Sequence, residues 1–194
     1  TAELIRPILR GRDIKRYGYE WANLWIINTH NGIKGVKPRI DINEYPAVKA
    51  HLDQYWDKIS KRADKGDTPY NLRNCAYLDD FLQPKLIYPE TTQGAFFAYD
   101  ETGIFLDKTC FMMITKYARY LQATLSSQLF EFAYKRIFSS IELGQHGFQY
   151  NKHALIKLPI KRFNEDDSTI FSEEFFYNQY GITTDEIDYI QKAI

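Results

Sequence analysis

The chain is poor in the residues that announce a chemistry. Its two cysteines, Cys75 and Cys110, stand far apart and lack the paired spacing of a zinc or redox motif. They are too few for a disulfide framework, so buried or incidental thiols in a reducing compartment are expected. The four histidines, His30, His51, His146 and His153, have no partner four residues on and no neighbouring cysteine, so no ready-made metal-ligand motif exists. Ser126-Ser127 and Ser139-Ser140 lack the context of a nucleophile elbow. The pairs Asp79-Asp80 and Asp166-Asp167 sit beside turn signals and read as solvated turns. No apolar run approaches the ~18 residues of a membrane span. Repeats and low-complexity tracts are absent. There is also no excess charge of either sign: 25 Lys and Arg balance 25 Asp and Glu. A neutral total does not advertise nucleic-acid binding, although it can conceal a basic face.

What is present is a sizeable core. The 194 residues are 44% hydrophobic and 16% aromatic, enough for one domain with a small appendage. The chain is organised around the stretch from Ala118 to Ile160. Ala118, Leu121, Leu125, Leu129 and Phe132 recur at intervals of three and four, which places them on one helical face with Leu125 and Leu129 in the core. A polar, glycine-bearing loop follows, then a short strand ending in Leu158-Pro159-Ile160.

Upstream, Leu4 to Tyr17 is basic, with Gly11 expected to permit a positive-φ turn. Leu24 to Ile27 reads as a buried strand. Asn28 to Asp41 is a loop carrying Lys34, Lys37 and Arg39. Pro46 opens a helix whose apolar face is Val48, Leu52, Tyr55, Ile59 and Ala63, stopped by Gly66. From Lys85 the pattern changes to strands: Lys85 to Tyr88, Ala95 to Tyr99, Gly103 to Leu106 and Thr109 to Thr115. The turn Asp100 to Gly103 suits a hairpin with Gly103 left-handed. Lys161 to Ser168 reads as a linker. The tail has helical spacing interrupted by Gly181, and Thr183 or Thr184 caps its last helix. The fold class expected is α+β: a twisted, mostly antiparallel sheet with two main helices packed on it and a small helical tail.

Several of these segments share wording with a known family. "RPILRGRDIKRY", "YPAVKAHLDQYWDKISKRADKGDTPYNLR", "KLIYPETTQGAFFAYDETGIFLDKTCFMMI" and "YLQATLSSQLFEFAYKR" with "GFQYNKHALIKLPI" follow in order. Together they resemble the TaqI-like C-terminal specificity domain of type IIG restriction-modification enzymes and adenine-specific DNA methyltransferases. Tyr70 stands where the family often has tryptophan. "EEFFYNQYGITTDEIDYIQ" resembles the close of many type IIG enzymes, with a shorter spacer before it.

The resemblance implies residues 1–162 as a DNA target-recognition domain and 163–194 as linker and helical tail. It implies double-stranded DNA and an upstream methyltransferase domain as partners, in the cytoplasm. S-adenosylmethionine, with Mg2+ as a further expectation, would serve the parent enzyme and not this chain. Neither the Asn/Asp-Pro-Pro-Tyr motif that holds a flipped adenine nor a methyl-donor loop occurs here, and no two prolines are adjacent. No Glu-x-Lys of a metal-dependent nuclease occurs either, and Asp13-Ile14-Lys15 is only an echo of it. No catalytic residue is therefore expected in this chain.

The remaining inventory suits binding. Arginine and lysine hold phosphates or guanine, and glutamine and asparagine pair with adenine. The candidates on turn-rich backbone are Arg10, Arg12, Lys34, Lys37, Arg39, Arg73, Asn74, Gln93, Lys108, Gln145 and Gln149. Other readings stay open: a protein-interaction module derived from such a domain, the specificity module of a type I-like system, or an unrecognised enzyme.

Overall fold

The computed structural model describes residues 1–138, 147–163 and 170–194. The expected loop around Gly144, the candidate Gln145, and His146, Ser139, Ser140, Asp166 and Asp167 lie outside the described residues. In chain order the strands are Ile5–Leu9 (β1), Ile14–Lys15 (β2), Gly18–Tyr19 (β3), Trp25–Ile27 (β4), Lys85–Pro89 (β5), Thr91–Thr92 (β6), Ala98–Asp100 (β7), Phe105–Leu106 (β8), Cys110–Met113 (β9) and Phe148–Gln149 (β10). The helices are Pro46–Asp53 (α1), Trp56–Ile59 (α2), Ala118–Ser126 (α3), Gln128–Phe138 (α4), Lys152–Leu155 (α5), Glu173–Tyr180 (α6) and Thr184–Ala193 (α7). With 38% helix and 18% strand the class is α+β as expected. The strands are divided among several small sheets, with β1–β4, β2–β3, β5–β7, β5–β9 and β6–β10 all paired antiparallel. Among the described residues no helix is long and apolar enough to cross a membrane.

Contacts gather the chain into two compact units: Thr1–Ile8 with Asn23–Phe81, and Leu9–Ala22 with Leu82–Ile194.

In the first unit β1 and β4 pair antiparallel, Ile5 opposite Ile27 and Pro7 opposite Trp25. The strand predicted at Leu24 to Ile27 exists but is not buried: Leu24 and Trp25 are exposed, Trp25 by 54%. The small core is Leu4, Ile42 and Val48, with Ile27, Ile40, Tyr45, Leu52 and Tyr70 against it. The single helix expected after Pro46 is two short ones, α1 and α2, interrupted at Gln54 and Tyr55. Past Leu52 the predicted apolar face has little to pack on, and Tyr55 and Ala63 are exposed. Helices this short depend on such packing. Gly66 is therefore no helix stop. A Cβ there would lie 2.5 Å from both the Asn31 side chain and the Leu72 carbonyl, so glycine permits a close crossing of chains.

The second unit is built on β5, whose five residues are all buried. β5 lies between β7 and β9, antiparallel to both, with Ile87 opposite Ala98 and Met112. A strand buried on both faces needs a near-continuous apolar run, which Leu86-Ile87-Tyr88 supplies. Helix α3 packs on β5 and β7, and α4 packs on α6 and α7. The core joins Leu86, Tyr88 and Phe97 from the strand region to Tyr120, Leu125, Leu129, Phe130 and Tyr134, and to Phe176, Tyr177 and Ile190 from the tail. Leu125 and Leu129 are core, as their spacing predicts. The helix predicted through Phe132 breaks at Ser127, which adopts extended backbone. Its hydroxyl donates to Thr124 O (2.7 Å) and accepts from Phe130 N–H (3.3 Å), so it starts α4 as an N-cap.

Three further expectations are corrected. Gly103 is left-handed as predicted (φ +75°), but β7 pairs with β5, and no β7–β8 hairpin forms. Leu158 to Ile160 is not a strand but the irregular end of the segment after α5. Gly11 does not have positive φ; a Cβ there would sit 2.8 Å from the Thr109 carbonyl, so its role is close approach. In that region the left-handed residue is Tyr17 (φ 70°), in the turn joining β2 to β3.

Candidate nucleic-acid interface

The sequence candidates fall into two groups, one per unit. In the second unit Gly11 N–H donates to the Thr109 hydroxyl (2.8 Å), which ties the turn bearing Arg10 and Arg12 to the turn bearing Lys108. Glu90 N–H donates to Thr109 O (2.9 Å), and Tyr150 N–H to Glu90 O (2.8 Å). Beside these bonds β6 and β10 form a short ribbon with Gln149 opposite Thr91, and Gln93 follows β6 by one residue. Arg12, Lys108, Gln93 and Gln149 are exposed, on segments that these bonds and the ribbon bring together. Among the described residues none of the four makes an ion pair or a side-chain hydrogen bond.

Arg10 differs from its neighbours. Its guanidinium forks onto Asp13 (3.0 and 2.8 Å), and its N–H also bonds that carboxylate (3.0 Å). These bonds hold the Asp13 carboxyl below its ordinary range. Asp13 is thereby used up in shaping the turn, which removes the nuclease echo of Asp13-Ile14-Lys15. Arg10 positions the turn, and Arg12 is left facing solvent.

In the first unit the candidates Lys34, Lys37, Arg39 and Asn74 line an open concavity of about 820 Å³, with Asn31 and Asp67 among its other walls. Most of its cations are committed. Lys37 pairs with Asp79, Arg39 with Asp67 (3.3 Å), and nearby Arg73 with Asp64 (3.5 Å). Asn31 Nδ2 donates to Asp67 (3.0 Å) and to Asn74 Oδ1 (2.6 Å), and Asp67 N–H donates back to Asn31 Oδ1 (2.9 Å). Such exposed ion pairs contribute little individually, but together they fix the loop. Lys34 has no ion-pair partner among the described residues. His30 accepts from Gly32 N–H through Nδ1 (3.1 Å), and burial lowers its pKa, with Lys37 adding to the effect. Its ring holds the backbone of the loop at Gly32.

Sequence reasoning missed two buried polar centres. Lys85 and Asp100 are fully buried and joined at 2.5 Å. Asp100 also accepts from Tyr19 OH (2.9 Å), Thr102 N–H (3.1 Å), Thr102 OH (2.6 Å) and Ile104 N–H (3.2 Å). Burial pushes its carboxyl up, yet Lys85 and Thr102 outweigh that, and the net pKa is low. Glu131, buried on α4, accepts from Arg16, from Lys135 (2.7 Å) and from Ala95 N–H (3.2 Å). Both centres are saturated with donors and serve to hold strands and turns in place. A lysine opening an otherwise apolar strand and a glutamate within an apolar helix stripe were the available signals. Burial pushes the Cys110 thiol up to about 12 and raises that of Cys75, so neither is a poised nucleophile. Among the described residues no three His, Cys, Asp or Glu converge as a metal site.

Several of the candidate cations and amides thus sit exposed on hydrogen-bonded turns. The chain belongs to the TaqI-like C-terminal specificity domains, whose family model matches residues 6–160. A domain of this family is a DNA-target-recognition module of restriction-modification enzymes and is non-catalytic in itself. α6 and α7 lie beyond the matched residues.

Proposed function

We propose that this chain supplies sequence specificity to an adenine-methylating enzyme of the type IIG kind, by holding duplex DNA against a catalytic domain elsewhere in the parent protein. The observation that carries the reading is the family match over residues 6–160. What supports it locally is a set of bonded turns in the second unit, where two exposed cations without an ion-pair partner among the described residues, Arg12 and Lys108, accompany the exposed amides Gln93 and Gln149. Lysine and arginine would grip phosphates and set register, and a glutamine amide can pair bidentately with the N6/N7 edge of adenine in the major groove. A two-stranded ribbon such as β6–β10 is of a size that enters that groove. The role is positional: one adenine is presented for extrusion into a site on the partner domain. S-adenosylmethionine, and Mg2+ if the parent cleaves, belong to that partner, and no step here passes through them.

The test separates grip from readout. Arg12→Ala and Lys108→Ala should weaken binding to all duplexes alike and lower the salt slope by ~0.9 per phosphate contact. Gln149→Ala should instead relax discrimination at one base pair, by about 1–3 kcal/mol. Unchanged affinity, slope and selectivity in all three variants would overturn the assignment of this surface. A protein-contacting module is the second reading, favoured by the exposed Tyr55 and Trp56 beside Asp53 and Asp57 on the first unit. It predicts that Tyr55→Ala and Trp56→Ala impair association with the catalytic domain and leave DNA selectivity intact.

A further inference from the structure

The tip of the loop Gly32 to Arg39 is built as a stiff prong. Ile33 N–H donates to Lys37 O (2.8 Å), while Val36 and Lys37 N–H both donate to Ile33 O (2.9 Å each). Gly32 and Gly35 take left-handed φ of +75° and +76° to close the turn. A Cβ on Gly32 would collide with the backbone of Lys37 to Arg39 at 2.4 to 2.7 Å, so the two arms of the prong touch at its base. The base is anchored by the Lys37–Asp79 and Arg39–Asp67 pairs and by Asn31 bridging Asp67 and Asn74. Lys34, Gly35 and Val36 remain exposed at the tip.

Val36 is 76% exposed. A single exposed valine is ordinary on a protein surface. This one is held by a bonded turn, and next to it stands Lys34, which has no ion-pair partner among the described residues. The loop thus presents one apolar branched side chain with an exposed cation at its flank, on backbone that loses little entropy on binding. On a duplex, the apolar group that a major-groove edge offers is the C5-methyl of thymine.

We propose that Val36 is a specificity-determining residue that reads a thymine methyl in the major groove, with Lys34 holding an adjacent phosphate. This rests on the DNA-recognition reading above and assigns it a second contact, on the other unit. The pairs at the base of the loop act as positioning residues, while Val36 and Lys34 make the contacts.

The test uses the whole 194-residue chain. Its preferred duplex is selected from a random pool, and each thymine of that duplex is then replaced singly by deoxyuridine, which removes only the methyl group. At one position the replacement should weaken binding about fourfold, the worth of one buried methyl. Val36→Ala should weaken the unmodified duplex by a similar factor and abolish the thymine-to-uracil difference at that position alone. Lys34→Ala should lower the salt slope by ~0.9 without changing base preference. Selective binding in which no thymine responds, or in which Val36→Ala leaves the uracil effect unchanged, overturns the prong and spares the recognition function. Absence of any selective binding by the chain overturns both.

Discussion

The two units are held together by different means. The second has an extensive aromatic core, with ring contacts running from Tyr88 and Phe97 through Tyr150 and Tyr134 to Phe148. Its buried charges, Lys85 with Asp100 and Glu131 with its three donors, lie inside that packing. The first has one small cluster of three buried apolar side chains, with Leu78 buried apart from it, and polar pegs supply the rest. Asn71 is the chief peg. Its amide donates to Ile40 O (3.0 Å), its side-chain oxygen accepts from Thr68 OH (2.6 Å), and its carbonyl accepts from Gly66 N–H and Arg62. A densely packed unit defines one geometry through dispersion and shape. A unit pinned by hydrogen bonds can keep a loop such as Gly32 to Arg39 exposed and ordered without burying it. Exchange of exposed loop residues in the first unit therefore does little damage to a core.

The sharpest way to break this contrast is the buried pair. Asp100→Asn removes the carboxylate that faces the buried Lys85 ammonium and should destabilise the second unit by about 3–5 kcal/mol. Combining it with Lys85→Met should recover part of that loss, since the buried ammonium is gone as well. Urea midpoints of the two single variants and the double variant give the coupling. The pair also sets an acid limit. The folded pKa of Asp100 is low. Its stabilisation is therefore complete above the ordinary carboxylate value near 4, and is lost as pH falls through the depressed folded value. In Asp100→Asn this part of the acid sensitivity should vanish; an identical acid profile would mean the pair contributes nothing.

A smaller effect is expected in the first unit from Asn71→Ala. It leaves Ile40 O and Thr68 OH without their partner, at about 1–3 kcal/mol. Amide exchange should accelerate at Ile40 and Leu72, which bond His30 O and Thr29 O beside the peg. The protection of Leu86 to Tyr88 on β5 should not change. Equal acceleration there would show that the units do not open separately.

Periodic packing was legible in the sequence, and polar closure was not. The Ala118 to Phe132 stripe, the apolar run of β5 and the left-handed Gly103 follow from spacing and residue type, because each depends on neighbours close in the chain. Some partners of Asn71, Asp100 and Glu131 are close in the chain, but those that join separate segments, Ile40, Tyr19 and Arg16 in turn, are remote in sequence, so no local pattern could announce them. The same holds for Gly11 and Gly66, whose lack of a side chain answers to Thr109 and Asn31, both distant in the chain. Candidate binding residues show the same limit. Arg10 and Arg12 look equivalent in sequence, but a carboxylate three residues away occupies one and leaves the other exposed. Lys37 and Arg39 are likewise committed to acids far along the chain, and Lys34 beside them is not.

The smallest effect concerns a feature that the sequence did announce. Thr183 caps α7: its hydroxyl accepts from Glu186 N–H (3.4 Å), and Glu186 reaches back to Thr183 N–H and hydroxyl (2.8 Å each). The box satisfies donors that a helix start otherwise leaves open. The Thr183 backbone N–H, followed by its hydroxyl, holds the Glu186 carboxyl below its ordinary range. Gly181, left-handed at φ +68°, ends α6 just before it and turns the chain. Thr183→Ala should cost about 0.5–2 kcal/mol, the lower part of that range being favoured because the cap is exposed to water. Its consequence should be local. α7 contributes Ile190 to the core beside Phe176 and Tyr177, so fraying should begin at Thr184 and spread toward Ile187 while Ile190 holds the far end. Exchange rates that rise from Thr184 to Ile187 and stay unchanged at Ile190 would match this cap. Loss of protection across the whole of α7 would mean that Ile190 alone cannot keep the helix docked, and that the cap matters to the packed unit as a whole.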